Sequence, residues 1–252
     1  MTSDPPLNSF DQDIDNAASS RRLAELFASA FDESAQEGVL GFSFVTMAGL
    51  QQISDLLAES HPRLLLDAGC GWGGPGLWIA QTIGSHLVGI DSSVRGVEIA
   101  TGRAGSSEVQ ATFQHGTLPA TRLADNSVDA AISIDALHYA PNPSEAAREI
   151  LRVIRPGSMF AATLWNTSVG PERFTRDYPR ALAEAGWVID RVEDHPEWLA
   201  AQLNLYEAAN AIPASGSDPA IQRLQREAEV VVPFIEHGRR LLIVATRPVG
   251  TR

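Results

Sequence analysis

The sequence predicts an α/β fold, a mostly parallel sheet with helices on both faces. Between about residue 63 and residue 165, short apolar runs alternate with segments of helical periodicity. The runs are apolar on nearly every residue, which indicates strands that are buried on both faces. A glycine cluster directly follows the first run, as expected where a parallel strand passes into a helix. With 252 residues, the chain is long enough for one such domain with a full core.

The segments before the first strand are predicted to form a tail and a helical cap. Residues 1–16 are polar and lack a clear period, so they are interpreted as a flexible tail. Residues 17–62 are assigned to the cap, because Leu23, Phe27 and Phe31 share one helix face and a second amphipathic stretch covers residues 46–58. From residue 17 to residue 252 we predict a single domain.

The predicted core covers residues 63–194 and 236–252, where strands alternate with helices. Its strands are placed at residues 63–68, 86–90, 111–114, 128–134, 159–165, 187–192 and 239–246. Its clearest helices are placed at residues 74–83, 92–103 and 143–155, the last with Asn142 as N-cap and Pro143 in its first turn. Residues 195–235 are acid-rich and mainly helical, and they are predicted to form a lid inserted before the last strand.

The net charge of the chain predicts which classes of partner it does not bind. The formal net charge is -12, and every basic side chain other than histidine is arginine. Such a surface repels a nucleic-acid backbone or an anionic membrane, and the densest basic clusters are only the pairs Arg21–Arg22 and Arg239–Arg240. We therefore expect a small-molecule substrate rather than nucleic acid or a membrane. The sequence neither predicts nor excludes a homodimer.

Further features predict where the protein works and what it lacks. No apolar run reaches the roughly 18 residues of a transmembrane helix, and the polar, acidic N-terminus is unlike a secretory signal. The single cysteine, Cys70, cannot form an internal disulfide, which fits a reducing cytoplasm. No His, Cys and acidic cluster has metal-ligand spacing, so no metal is expected.

The most informative segment is the glycine loop after the first predicted strand. Gly69, Gly71 and Gly74 satisfy the pattern G-x-G-x-x-G, which also occurs in dinucleotide sites. Asp67 places a carboxylate where a pyrophosphate would need to lie, and this suits a cationic ligand such as an amino group. Asp91 ends the next strand, where an acid accepts hydrogen bonds from ribose hydroxyls. An adenosine with an amino-acid tail therefore fits the two carboxylates better than NAD does.

Five segments in this order resemble the motifs of class I S-adenosylmethionine (SAM)-dependent methyltransferases, particularly the small-molecule group called methyltransferase type 11. They are LLDAGCG at residues 65–71, VGID at 88–91, LADNSVDA at 123–130, IDALH at 134–138 and EILRVIRPG at 149–157. The resemblance implies SAM as the cofactor. It also implies a Rossmann-like, doubly wound sheet of seven strands in the order 3-2-1-4-5-7-6, with strand 7 antiparallel.

The resemblance also implies which residues contact the cofactor. Gly69 and Gly71, with Asp67 and Ala68 behind them, would hold the methionine part, and Asp91 with Ser92 would bind the adenosine. The remaining implied contacts are Thr117 and Leu118 at the adenine, Asp135 and Ala136 at the sulfonium, and Phe44 and Thr46 in the segment that folds over the cofactor. Thr117 departs from the family, which often has an acid at this position.

The predicted reaction is in-line displacement of the methyl group by an O, N or C atom of a small metabolite, in specialised metabolism. His138, just past the fourth strand, is the candidate general base, because a neutral imidazole there can take a proton from the acceptor. Two alternatives remain. The first is a SAM-binding protein that acts as a cyclase or a regulator without methylating, and the second is an NAD-dependent reductase.

Overall fold

A computed structural model of the chain describes residues 7–31, 39, 43–213 and 218–250. Its centre is a seven-stranded sheet in the order β3-β2-β1-β4-β5-β7-β6, which confirms the predicted order. The strands are β1 Leu64–Ala68, β2 His86–Asp91, β3 Ala111–His115, β4 Ala130–Ile134, β5 Met159–Thr167, β6 Val188–Asp194 and β7 Gly238–Thr246.

The sheet is parallel except at its last strand. β7 lies between β5 and β6 and runs antiparallel to both, as the sequence resemblance implied. The register pairs Trp165 of β5 with Arg240 of β7, and Ile134 of β4 with Thr163 of β5. This register brings an arginine near the carboxyl end of β4, where ligands bind in open α/β sheets.

Helices surround this sheet, and several begin with clear capping residues. Before β1 lie α1 Leu7–Ser19, α2 Arg21–Phe31 and α3 Met47–Ala58; after it come α4 Gly74–Ile83, α5 Val94–Gly105, α6 Pro143–Val153, α7 Glu172–Thr175, α8 Tyr178–Ala185, α9 Pro196–Asn210 and α10 Pro219–Val231. The Asn142 side chain accepts from the backbone N–H groups of Ser144 and Glu145 at the start of α6, as predicted for this N-cap.

The core lies on both faces of the sheet. On one face, an apolar cluster includes residues of α2, α3, α9 and α10, and on the other face a second cluster includes residues of α6 and α8. The rings of Phe27, Phe31 and Tyr206 all lie within 6.2 Å of the ring of Phe44, measured between centroids. The helices before β1 therefore pack against the helices inserted before β7. Among the described residues, no helix is long and apolar enough to span a membrane.

The prediction of a flexible tail over residues 1–16 is wrong for residues 7–16, which belong to α1. The physical reason is burial, since Ile14 and Ala17 are each only 6% exposed. Acidic side chains of α1 also contact arginines of α5 and α10. Residues 1–6 lie outside the described residues, as do residues 32–38 and 40–42 of the predicted cap and 214–217 of the predicted lid.

Candidate cofactor and substrate site

The glycine loop adopts backbone conformations that other residues rarely take. Gly69, Gly71 and Gly73 have φ angles of 86°, 49° and 83°. A Cβ atom on Gly69 would lie 2.3 Å from the Cβ of Ala136, so the loop passes tightly against the residue after Asp135. A Cβ atom on Gly71 would meet nothing within 4 Å among the described residues. The loop thus contacts the end of β4 at Gly69 and faces open space at Gly71.

Asp67 is buried directly beneath this loop. Its side chain packs against the first turn of α4, where a Cβ atom on Gly76 would lie 2.2 Å from the Asp67 Oδ2 atom. Burial, together with the negative charge of Asp91, raises the pKa of Asp67 to about 8. No ion pair with an arginine or histidine of the described residues offsets this burial. A cationic ligand group at this point would therefore stabilise the ionised carboxylate.

Asp91 lies on the other side of the loop, at the end of β2. Its Oδ2 accepts from the backbone N–H of Gly71 and its Oδ1 from that of Ser93, both at 2.8 Å. Burial raises the pKa of Asp91, while these backbone donors oppose the rise. The two hydrogen bonds leave further acceptor positions on each carboxylate oxygen.

Helix α1 crosses the start of α5 next to Asp91. Asp11 accepts a 2.5 Å hydrogen bond from the Ser93 hydroxyl, and Asp15 forms an ion pair with Arg95. Ile14 approaches to 3.3 Å of where a Cβ atom on Gly96 would be. The sequence reasoning missed this helix, although Leu7, Phe10, Ile14 and Ala17 have the spacing of one helix face.

The residue after β4, Asp135, forms a buried ion pair. It has a left-handed φ of 53°, and its two carboxylate oxygens both accept from Nη2 of Arg240 at 2.5 Å. The backbone N–H of Phe44 donates to Oδ2 at 2.7 Å, and the Thr163 hydroxyl donates to Oδ1 at 3.2 Å. Asp135 is thus engaged by three protein groups, and its contact with the sulfonium stays a prediction.

Arg240 is a site residue that the sequence reasoning missed. From the sequence, Arg240 is only one member of the basic pair Arg239–Arg240. In the structure it is 1% exposed, and its guanidinium lies 5.4 Å from the centre of the Phe44 ring. The available signal was an arginine at the edge of the apolar run 241–245. A charge in a buried strand is rare unless it is paired, so it indicates a partner across the sheet.

A cavity of about 30 Å³ opens beside this ion pair, in a recess of about 300 Å³ that includes open solvent. The lining is rich in aromatic rings and includes Phe44, Tyr139, Trp165, Phe174, Asp135, His138, Gln202, Glu227, Val231 and Arg240. The cavity itself is smaller than most small-molecule sites and admits a small polar group. Because Asp135 lines the cavity and Ala136 contacts Gly69, the glycine loop and the cavity are neighbours.

The predicted base His138 lies in this wall. It belongs to a short 3-10 helix, Leu137–Tyr139, and is 4% exposed. Its ring centre lies 4.3 Å from that of Tyr139 and 5.5 Å from that of Phe174. The structure therefore puts an imidazole at the cavity, and its role as a base stays a prediction.

A chain of polar groups from the inserted helices covers the cavity. Arg223 donates to Glu227 Oε2 at 2.7 Å, and the Tyr206 hydroxyl donates to Glu227 Oε1 at 2.9 Å. Nε2 of Gln202 donates to the Tyr206 oxygen at 2.9 Å, while Arg223 also pairs with Asp13 of α1. Burial and the charge of Glu227 raise the pKa of Tyr206 well above its ordinary value. The hydroxyl therefore stays protonated and donates to Glu227.

Of the remaining predicted cofactor-binding residues, some lie at the glycine loop and others have structural contacts elsewhere. Leu118 lies 4.0 Å from where a Cβ atom on Gly69 would be, whereas Ser92 and Thr117 are exposed. The Ala68 carbonyl accepts from the Ser133 hydroxyl, and the Thr46 hydroxyl caps α3 by accepting from Gly49 N–H. Thr46 thus has a structural role. Within the described residues, no group of three or more His, Cys, Asp or Glu side chains could hold a metal ion.

Comparison with known proteins agrees with this geometry. Residues 66–162 match a family model described as a methyltransferase domain. The chain is 36% identical over 103 residues to a sterol 24-C-methyltransferase of Gibberella zeae, covering 40% of this chain and 27% of that one. It is 31% identical over 113 residues to the methyltransferase GfsG of Streptomyces halstedii, covering 44% and 41%. The chain thus spans less than half the length of these curated relatives.

Solved structures share the fold across most of the chain. The 4+2 cyclase SpnF has a TM-score of 0.69 at 24% identity, covering 82% of this chain and 84% of that one. Phosphoethanolamine N-methyltransferase 2 of Haemonchus contortus, solved with SAM, has a TM-score of 0.67 at 18% identity, covering 92% and 61%. The chain thus has the fold of the class I SAM-dependent methyltransferases. Within it, residues 66–162 resemble the methyltransferase domain of the type 11 group.

Proposed function

We propose that the protein binds SAM at the glycine loop and transfers its methyl group to a small molecule in the cavity. The observation that carries this proposal is the pair of acids, Asp67 and Asp91, on either side of a left-handed glycine loop that contacts the cavity wall through Gly69 and Ala136. The activity of the whole protein is inferred, because the curated relatives extend well beyond the matched region.

The residues at the loop fit SAM chemically. Burial without a compensating positive charge raises the pKa of Asp67 to about 8, and the amino group of the methionine part would supply that charge. Asp91 retains acceptor positions for the ribose hydroxyls, and Gly71 leaves room for a ligand against bare backbone. Ser92, Thr117 and Leu118 remain the proposed contacts of the adenosine.

When bound, SAM supplies a methyl group that is already activated by its sulfonium. The main task of the chain is then to orient the acceptor and exclude water, and orientation of this kind contributes about 7–11 kcal/mol in favourable cases. The aromatic wall of the cavity serves both purposes. His138 is proposed to take the proton from an acceptor oxygen or nitrogen.

The acceptor is proposed to be a small metabolite of specialised metabolism, because the cavity beside Asp135 is too small for a macromolecular substrate. Work in the reducing cytoplasm is part of the same proposal, supported by the single, buried Cys70. A partner made of nucleic acid is disfavoured by the net charge of -12.

A SAM-binding role without methyl transfer is the second candidate, because the cyclase SpnF has the same fold. The two differ in their products. Formation of S-adenosylhomocysteine (SAH) in step with a methylated product identifies a methyltransferase. Turnover of an acceptor with SAM left intact identifies a cyclase-like enzyme.

The first experiment is calorimetric titration with SAM and, separately, with NADH. We expect micromolar SAM binding that Asp91→Ala loses and Asp55→Ala, a change of an exposed acid on α3, retains. NADH binding in place of SAM binding would support a reductase. A folded protein that binds neither would contradict the proposed function.

A further inference from the structure

Three buried polar atoms of cavity-lining residues have no hydrogen-bond partner among the described residues. They are the Gln202 side-chain oxygen, Oε1, and the side-chain nitrogens Nε of Arg240 and Nε1 of Trp165. These residues are only 2%, 1% and 3% exposed. Buried polar atoms are nearly always paired, so these three indicate a ligand that supplies the missing partners.

The orientation of the Gln202 amide is set by its neighbours. The Glu227 carboxylate can only accept, so the single proton of the Tyr206 hydroxyl goes to Glu227. The Tyr206 oxygen must then accept from Gln202, which directs Nε2 towards Tyr206 and leaves Oε1 as the unpaired atom. Gln202 therefore offers the cavity an acceptor, and reversing the amide would break this chain of hydrogen bonds.

Arg240 offers a donor whose position is equally fixed. Its Nη2 donates to both oxygens of Asp135, and its guanidinium lies over the Phe44 ring. The charge of Arg240 is thus balanced by Asp135, but its Nε–H stays available to a ligand. A ligand of this cavity needs at least one donor, for Gln202, and an acceptor for the N–H groups of Arg240 and Trp165.

The charges around the cavity disfavour an ionic ligand. Asp135 is paired with Arg240, and Glu227 is paired with Arg223. A carboxylate or an ammonium group would therefore have to compete with one of these existing ion pairs. The rest of the wall is mostly aromatic, which favours a ring in the open recess beside the polar group that enters the cavity.

We propose that the acceptor substrate is a neutral molecule whose hydroxyl group enters the cavity, where Gln202 Oε1 and the N–H groups of Arg240 and Trp165 recognise it. A hydroxyl is the smallest neutral group that both donates and accepts, whereas ethers and ketones only accept. This inference rests on the proposed function, because it assigns the substrate class of the same site.

The test uses compounds that share one ring and differ in one group. Calorimetry on the SAH-loaded protein compares 4-methylphenol, toluene, 4-methylbenzoate and 4-methylbenzylammonium. We expect 4-methylphenol to bind roughly 10- to 100-fold more tightly than toluene, with the two ions weaker than 4-methylphenol. Equal binding of toluene, tightest binding of either ion, or no binding of any compound would overturn the proposal.

Variants assign the preference to the named atoms. Gln202→Leu should reduce 4-methylphenol binding to the level of toluene and leave SAH binding unchanged, while the exposed control Gln51→Leu changes neither. Tyr206→Phe keeps the ring but releases the Gln202 amide, so it should reduce the preference for 4-methylphenol even if Gln202→Leu fails to fold. The titrations are repeated without SAH, so that the preference among the four compounds can be measured even if SAH does not bind. Failure of SAH to bind would contradict the proposed function and not this inference. An unchanged preference in a folded Gln202→Leu protein would refute the assignment.

Discussion

The guanidinium of Arg240 and the carboxylate of Asp135 form a buried ion pair that joins β7 to the end of β4. The two residues are 105 positions apart in the chain, and their side chains are 1% and 4% exposed. β5 lies between the two strands, and its Thr163 hydroxyl also donates to Asp135. The pair therefore fixes the left-handed backbone at Asp135, next to both the glycine loop and the cavity.

Replacing Arg240 with methionine should be strongly destabilising. The Asp135 carboxylate would remain buried without a counter-charge, which typically costs about 3–5 kcal/mol. The matched control is Arg239→Met, because the Arg239 side chain is 54% exposed and its ion pair with Asp194 is worth about 0–1 kcal/mol. Urea denaturation of the two variants measures the difference.

The double variant Asp135→Asn/Arg240→Met separates a lost charge balance from lost packing. It leaves no buried charge, and asparagine tolerates the left-handed backbone at this position. We expect the double variant to be more stable than Arg240→Met alone. A double variant that is less stable would show that packing, not charge, dominates.

The sheet was predictable from the sequence because its signals are local. Apolar runs, glycine turns and the cap at Asn142 each depend on neighbouring residues, whereas the strand order was implied by the resemblance to a known family. The Asp135–Arg240 pair was not predictable, because its partners meet only through the β5–β7 register. Helix α1 was missed for a different reason: its acids suggested a tail, although they pair with arginines of α5 and α10.

Gly71→Ala should weaken SAM binding without unfolding the protein. The left-handed backbone costs an alanine roughly 1–2 kcal/mol, but no described atom lies within 4 Å of the added methyl group. The methyl group would enter the proposed cofactor space and weaken SAM binding by at least about tenfold. Gly84→Ala is the control, since Gly84 is also left-handed and also faces open space. Equal SAM affinities in the two variants would place the cofactor elsewhere.

The raised pKa of Asp67 predicts how stability depends on pH. An acid whose pKa rises from 3.8 in the unfolded chain to about 8 in the folded protein takes up a proton on folding. Its contribution to the free energy of unfolding is therefore present at low pH and is lost as the pH rises through this range. Asp67→Asn stays neutral throughout. The free energy of unfolding of the wild type, minus that of this variant, should therefore fall by on the order of a few kcal/mol between about pH 4 and pH 8.

The same acid predicts proton release on binding. The ammonium group of SAM favours the ionised form of Asp67, so binding below the pKa of about 8 should expel a proton. Calorimetry in buffers of different ionisation enthalpy measures this proton directly. Asp67→Asn should bind SAM more weakly and release less proton, and equal release in both proteins would assign the proton to another group.

Helix α1 should slow the release of SAM. Ile14 lies close to Gly96 and, through it, to the carbonyl of Gly71, so truncating this side chain weakens the docking of α1 beside the loop. We expect Ile14→Ala to speed SAM dissociation several-fold in stopped-flow measurements. Gln12→Ala, on the exposed face of the same helix, should leave the rate unchanged. A faster rate in both variants would point to general fraying of α1 instead.

His138 should affect turnover without affecting cofactor affinity. A general base contributes about 10²- to 10⁴-fold to the rate, whereas orientation alone needs no proton acceptor. His138→Gln keeps a side chain of similar size in the wall beside Phe174, so a loss of kcat with an unchanged Kd for SAM assigns the loss to proton transfer. The neighbouring change Tyr139→Phe tests the other titratable group of this segment. If kcat survives His138→Gln but falls in Tyr139→Phe, the base is the phenol; if both variants keep full activity, methyl transfer here proceeds by orientation alone.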